Sequence, residues 1–313
     1  MTRLVLSEIR ARFVLAALLC ASWPLAAFAQ GLPLGDGHVA DHPAGGDVYA
    51  CRTSFRNGGA RHAGPWFHGD RWVPGEKPHV SGHVLWPDAF LALTPTGDDV
   101  DVRGNGLPVR EATGSFPISP TDSVYRYDTN PNHVGTQRLD FPIPAAPALA
   151  ERPGCLPMGM IGFTTTGVAL YNALDDAGRD AAAHEIQDDC DGHPQANAQY
   201  HYHSASPCLP GVESDSLVGW ALDGFPILGL KDASGAYLTD ADLDACHGRK
   251  EKVTVDGRTY DYAYRMTREY PYTLGCFAGS VLPGTRDAIR RGLEPSRRGR
   301  PPRGARRPPG GVR

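Results

Sequence analysis

Six cysteines, Cys51, Cys155, Cys190, Cys208, Cys246 and Cys276, constrain what this chain can fold into more than any other feature. A seventh, Cys20, sits in an N-terminal segment of different character. Arg3, Arg10 and Arg12 precede or open a short apolar run, Phe13 to Cys20, and Ala27-Phe28-Ala29 comes after it as a small-x-small pattern. Residues 1–29 therefore read as a signal peptide cleaved after Ala29. Pro24 interrupts a run already shorter than the roughly 20 apolar residues of a spanning helix, so no transmembrane anchor is expected. Leu19, just before Cys20, does not suit lipidation. The expected location is secreted or periplasmic. There an even set of six cysteines predicts disulfides. Sequence alone leaves the pairing open; the pairing expected is Cys190–Cys208 and Cys246–Cys276 as local loops, with Cys51–Cys155 left over. No C-x-x-C pair exists, so zinc-ribbon chemistry is not expected.

The formal net charge of −4 conceals three unlike pieces. The leader is +2. Residues 30–285 carry 18 basic and 32 acidic side chains, or −14. Residues 286–313 carry ten arginines against Asp287 and Glu294, or +8. That last piece has no apolar periodicity and contains Pro-Pro and Gly-Gly pairs, which predicts a disordered basic tail. Its expected partner is an anionic surface, such as lipid headgroups or acidic glycans. With a folded body at −14, nucleic acid is not an expected partner.

Between leader and tail, Gly and Pro recur too often for long helices. Residues 30–99 form a Gly/Pro/His/Trp-rich segment holding Trp66, Trp72 and Trp86, which predicts packed short β-segments such as His83–Trp86. Residues 100–285 alternate more clearly. Strands are predicted at Val100–Arg103, Arg138–Ile143, Met158–Phe163, Val168–Tyr171, Gln199–His203 and Val218–Leu222. Asp256-Gly257 sits between two alternating runs and predicts a hairpin with a type I′ turn. Asp175–Ile186 predicts a short helix, and Thr239–Gly248 a capped helical turn. The fold class expected is mainly β: antiparallel strands with two short helices, stapled by disulfides.

The densest chemical signal runs from Asp188 to His203. Residues i and i+2 of a strand share a face, so His201 and His203 project together, and Tyr200 and Tyr202 project from the other side. Two imidazoles so placed can reach one cation at the roughly 2.0–2.1 Å of a Zn–N bond. His193 lies in a Gly-His-Pro segment that a Cys190–Cys208 bridge would bracket with them. Asp189 or Asp191 is the acidic neighbour expected as fourth ligand or as acceptor for an imidazole N–H. The ion expected is zinc or copper, both suited to imidazole. His247 is a reserve ligand. Paired histidines on a β face also occur as metal-free polar clusters.

The chain resembles the YHYH domain family of mostly exported proteins, on Tyr200-His-Tyr-His203 and a series of ordered blocks. Asn105-Gly-Leu-Pro108, Thr113–Pro117 and Asn130–His133 stand where the family has its early turn blocks. Gly159–Gly162 and Gly167–Asn172 resemble its paired-strand segment, and Asp189–His193 precedes the namesake tetrapeptide. Gly219–Ile227, Leu243–Gly248 and Glu269–Phe277 complete the likeness. Val109-Arg-Glu111 replaces a histidine that members often carry, and Leu228 stands where an aromatic is common. The resemblance implies a YHYH-type domain over residues 100–285 and no particular reaction.

Three functions remain as expectations. The first is an exported metal-binding domain using His193, His201, His203 and Asp189. The second is a metal-dependent hydrolase, with Asp191 or Asp223 as the catalytic carboxylate acting on an unknown small molecule. The third is an extracellular glycan-binding module stacking sugars on Trp220, Tyr200, Tyr202, Tyr262, Tyr264, Tyr270 and Tyr272. No G-x-S-x-G, P-loop, dinucleotide fingerprint or H-E-x-x-H motif is present.

Overall fold

The computed structural model describes residues 31–56 and 58–292, so the leader and the tail beyond Gly292 lie outside the described residues. The chain is strand-rich, as the short alternating segments lead one to expect. Its centre is an eight-stranded sheet. In chain order the strands are β1 (Met160–Thr164), β2 (Ala169–Tyr171), β3 (Gly192–Pro194), β4 (Tyr200–Tyr202), β5 (Leu217–Ala221), β6 (Pro226–Leu228), β7 (Gly248–Arg249) and β8 (Ala263–Arg265). They lie side by side in the order β3-β4-β2-β1-β5-β6-β8-β7.

Most neighbours are antiparallel, but β2 pairs with β4, and β6 with β8, in parallel. Parallel pairing needs a long connection, and the loops between β2 and β4 and between β6 and β8 supply it. A second, three-stranded sheet joins Leu91–Thr96, Asp99–Gly104 and Leu139–Pro144. The hairpin at Asp256-Gly257 forms as the dipeptide predicts, with φ of 49° and 76° at its two central residues.

The three expected disulfides form: Cys51–Cys155, Cys190–Cys208 and Cys246–Cys276. Residues 31–99 share the core of the rest. Trp66 is fully buried and its indole N–H donates to the Ala183 carbonyl at 2.9 Å. Among the described residues no helix is long and apolar enough to cross a membrane.

One helix expectation needs correction: only α1 (Ala181–His184) forms within Asp175–Ile186. The capped turn expected within Thr239–Gly248 forms as the 3-10 turn Asp240–Asp242, closed by a Thr239/Asp242 capping box. The shortening of the first helix has a local cause. Asp175 Oδ1 accepts the backbone N–H of Ala177 and Arg179, both at 2.9 Å, and so closes a loop where a helix would have to begin. Asp188, Asp232 and Asp244 each do the same with the residues two and four further on. A short carboxylate offers the backbone an alternative to helical bonding, and here it prevails four times. A second helix, α2 (Pro283–Gly292), lies where the unfolded tail was expected to begin. Ile289 packs on the core and Thr285 Oγ1 donates to the Pro142 carbonyl, which holds α2 against the body.

Candidate metal centre

The edge of the main sheet builds the centre. β3 runs antiparallel to β4 with His193 directly opposite His201. Gly192 is required beside them, because a Cβ there would collide with the Tyr200 ring. The parallel β2/β4 pair, in register at Ala169 and His201, brings Asn172 alongside His203. One donor atom from each of His193, His201 and His203 lies within 4.8 Å of the other two, and all three residues are buried. The Tyr171 ring stacks on His201 at 3.8 Å and fixes the plane of that imidazole.

Backbone carbonyls decide the tautomers. His201 Nδ1 is 3.1 Å from the Gln199 carbonyl and His203 Nδ1 is 2.6 Å from the Asn172 carbonyl. A carbonyl can only accept, so each Nδ1 carries the proton and each Nε2 keeps its lone pair. Those two Nε2 atoms face one another at 3.1 Å. Burial, with the neighbouring imidazoles, pushes the His201 pKa well below its ordinary value, and burial pushes His203 down to about 4. Two neutral rings in this pose have no hydrogen between their facing nitrogens. Their separation is close to the roughly 3.3 Å between nitrogens on a tetrahedral zinc ion.

Glu185 stands at the rim, carried there by α1, which ends at it. Its Oε2 is 3.2 Å from His193 Nε2 and 3.4 Å from His203 Nε2. Burial alone would raise its pKa, but His193, His203 and Lys77 outweigh it and hold Glu185 at about 2. His193 is affected in reverse: burial opposes its charge, while Glu185 and Asp128 raise its pKa. Among the described residues neither ring nitrogen of His193 has an aligned hydrogen-bond partner, since Glu185 is close but off the N–H direction. Lys77 is buried behind the centre, donating to the Ala182 carbonyl and to Gln187 Oε1. Burial lowers its pKa to about 8.

The opposite face of β4 is equally built. The Tyr200 hydroxyl donates to Asp188 at 2.8 Å, and the Tyr202 hydroxyl to Glu111 Oε2 at 2.9 Å. Asp188 also accepts the Gly114 backbone N–H at 2.7 Å. Glu111 is buried with Oε1 unpartnered among the described residues. Burial raises its pKa to about 7.

Several expected site residues fall elsewhere. The Asp189 side chain is exposed and pairs with His79 at 3.2 Å, outside the three-histidine group. It points to water because the Asp188 turn uses its neighbour's carboxylate instead. Asp191 occupies the same turn with φ of 57°, and burial raises its pKa against the opposing charge of Lys77. Asp223 is fully buried, accepting the Tyr264 hydroxyl at 2.6 Å and the Gly279 N–H at 2.8 Å. It ties strands together, and burial lifts its pKa to about 6. His247 bonds Thr267 Oγ1 at 3.0 Å and is no part of the centre. Trp220, Tyr200, Tyr202, Tyr262, Tyr264, Tyr270 and Tyr272 are all core residues, so none is an exposed platform for a sugar. Glu185 and Lys77 escaped sequence reasoning. Glu185 reads there as one polar residue on a short helix, and Lys77 lies more than 100 residues before the histidines in sequence.

A strand-rich, disulfide-stapled fold with three converging buried histidines defines the class of protein. The family model described as YHYH protein matches residues 140–239. The chain thus carries a YHYH domain there, spanning β1 to β6 and holding all three histidines, Glu185 and Asp188. The early turn blocks and the segments after Thr239 lie outside the matched span. No curated protein and no solved structure matches the chain.

Proposed function

We propose that this chain binds one divalent metal ion, zinc or copper, through His193, His201 and His203, with Glu185 as the adjoining carboxylate. The observation that carries this reading is the facing pair of Nε2 lone pairs, each fixed by an Nδ1–H bonded to a backbone carbonyl. Such carbonyl acceptors are the usual partners that orient metal-ligating histidines. When bound, the ion supplies Lewis acidity. Glu185, ionised at neutral pH, can complete the donor set or accept a proton beside it. A hydrolase reading therefore rests on Glu185 rather than on Asp191 or Asp223.

Elemental analysis of the protein, made in an oxidising compartment and dialysed against zinc or copper, tests this. About one equivalent is expected for the native chain and none for the His201→Ala/His203→Ala double variant. Equal metal in both proteins sinks the proposal. We also place the protein outside the reducing cytosol, because its three disulfides and the leader pattern agree. Intact-mass measurement on the exported chain should read an N-terminus at Gln30. A mature chain still beginning at Met1 contradicts that placement.

A further inference from the structure

A cavity of about 380 Å³ opens between α2 and the Cys51–Cys155 disulfide, and none of the three histidines lines it. Its walls are formed chiefly by Pro157, Leu222, Phe277, Val281 and Ile289, and among the described residues Arg286 is the one charged residue that lines it. The walls are fixed from several sides. Leu149–Gly154 pairs with Phe277–Gly279, with Gly154 opposite Phe277. Asp223, just after Leu222, holds the Gly279 N–H at 2.8 Å. The disulfide pins Cys155 beside Gly154. A volume in this range suits a small organic ligand in a preformed pocket.

Apolar walls with one exposed guanidinium select for a particular shape of molecule. A hydrocarbon chain is driven into the cavity by removal of its surface from water. Its head stays at the rim, where Arg286 favours an anion. At Arg286 a cationic head meets like charge, and an anionic head meets the opposite.

We propose that this cavity binds a single acyl chain bearing an anionic head group, with the chain against Phe277 and Ile289 and the head at Arg286. A free fatty acid and an anionic phospholipid share this chemistry. The test uses the whole mature protein and 1-anilinonaphthalene-8-sulfonate as fluorescent probe, displaced by dodecanoate or by dodecyltrimethylammonium. Dodecanoate should displace the probe from one saturable site, at least about tenfold more tightly than the cationic analogue.

Ile289→Trp, which fills the cavity, should weaken dodecanoate by a similar factor. Arg286→Glu, at an exposed position that leaves the walls intact, should narrow or invert the preference for the anion. Sedimentation with phosphatidylglycerol vesicles separates the two sources. Vesicle binding that Ile289→Trp weakens identifies a membrane lipid, and dodecanoate binding without vesicle binding identifies a free acid. Failure of dodecanoate to displace the probe, or equal affinities in the native chain and both variants, overturns the proposal.

Discussion

The two faces of the Tyr200–Tyr202 strand, extended to His203, solve the problem of buried polarity in opposite ways. On one face each tyrosine hydroxyl has a carboxylate acceptor, Asp188 or Glu111, and Asp188 is further tied to backbone N–H groups. Both tyrosine hydroxyls of that face are thereby satisfied, and Glu111 Oε1 is the one atom of these groups unpartnered among the described residues. On the other face the Nδ1 atoms of His201 and His203 are satisfied, but their Nε2 atoms oppose one another and His193 lacks an aligned partner among the described residues. Buried polar atoms in native folds are almost always paired. On the histidine face the exceptions converge, with one donor atom from each imidazole within 4.8 Å of the others, which is the contrast with the tyrosine face that the proposed metal site rests on.

This division can be broken by substitution. The largest effect is expected from Asp188→Ala, which leaves the Tyr200 hydroxyl and the N–H groups of Gly114, Cys190 and Gly192 without their acceptor. A loss of about 3–5 kcal/mol is expected in chemical denaturation. A loss below about 1 kcal/mol would mean that Asp188 does not hold the scaffold.

Glu111 gives the next effect and a pH signature. Its pKa is raised from 4.5 to about 7, mainly by burial, so folding favours its protonated form. Its contribution is whole below about pH 4.5 and is lost as the pH rises to about 7, roughly 3 kcal/mol in all. Glu111→Gln should remove that part of the pH dependence. A native-like slope in the variant assigns it to another group.

The smallest effect sharpens the other face. Glu185→Gln preserves shape and removes charge, and a fall in metal affinity of about 10–100-fold is expected with little change in stability. Unchanged affinity in a metal titration places Glu185 outside the coordination environment.

How much of this was legible in the sequence varies by residue. The alternation Tyr-His-Tyr-His assigns two faces to any extended strand, because the pleat has period two. The Asp256-Gly257 hairpin was legible for a similar local reason, whereas the sequence left the cysteine pairing open and the fold decided it. Asp189 misled because adjacent aspartates look alike in a sequence. Only the turn determines that Asp188 points inward while Asp189 meets His79 in water. The Asp175–Ile186 helix misled because an aspartate at a loop start and one at a helix start differ only in which N–H groups they find. The seven aromatics suggested a sugar platform, yet large rings are the cheapest way to fill a core.

By itself the sequence determined the features that short-range geometry controls: the strand period, the turn dipeptides, the cysteine count, and a pair of histidines on one side of a strand. Tertiary structure alone decided which groups share a volume. The parallel β2/β4 pairing sets Asn172 against His203, the end of α1 delivers Glu185, and Lys77 arrives from a distant segment. A three-residue strand cannot encode those neighbours. Long loops bring them, and the energy that holds them there comes from burying the core, not from the residues that make the site.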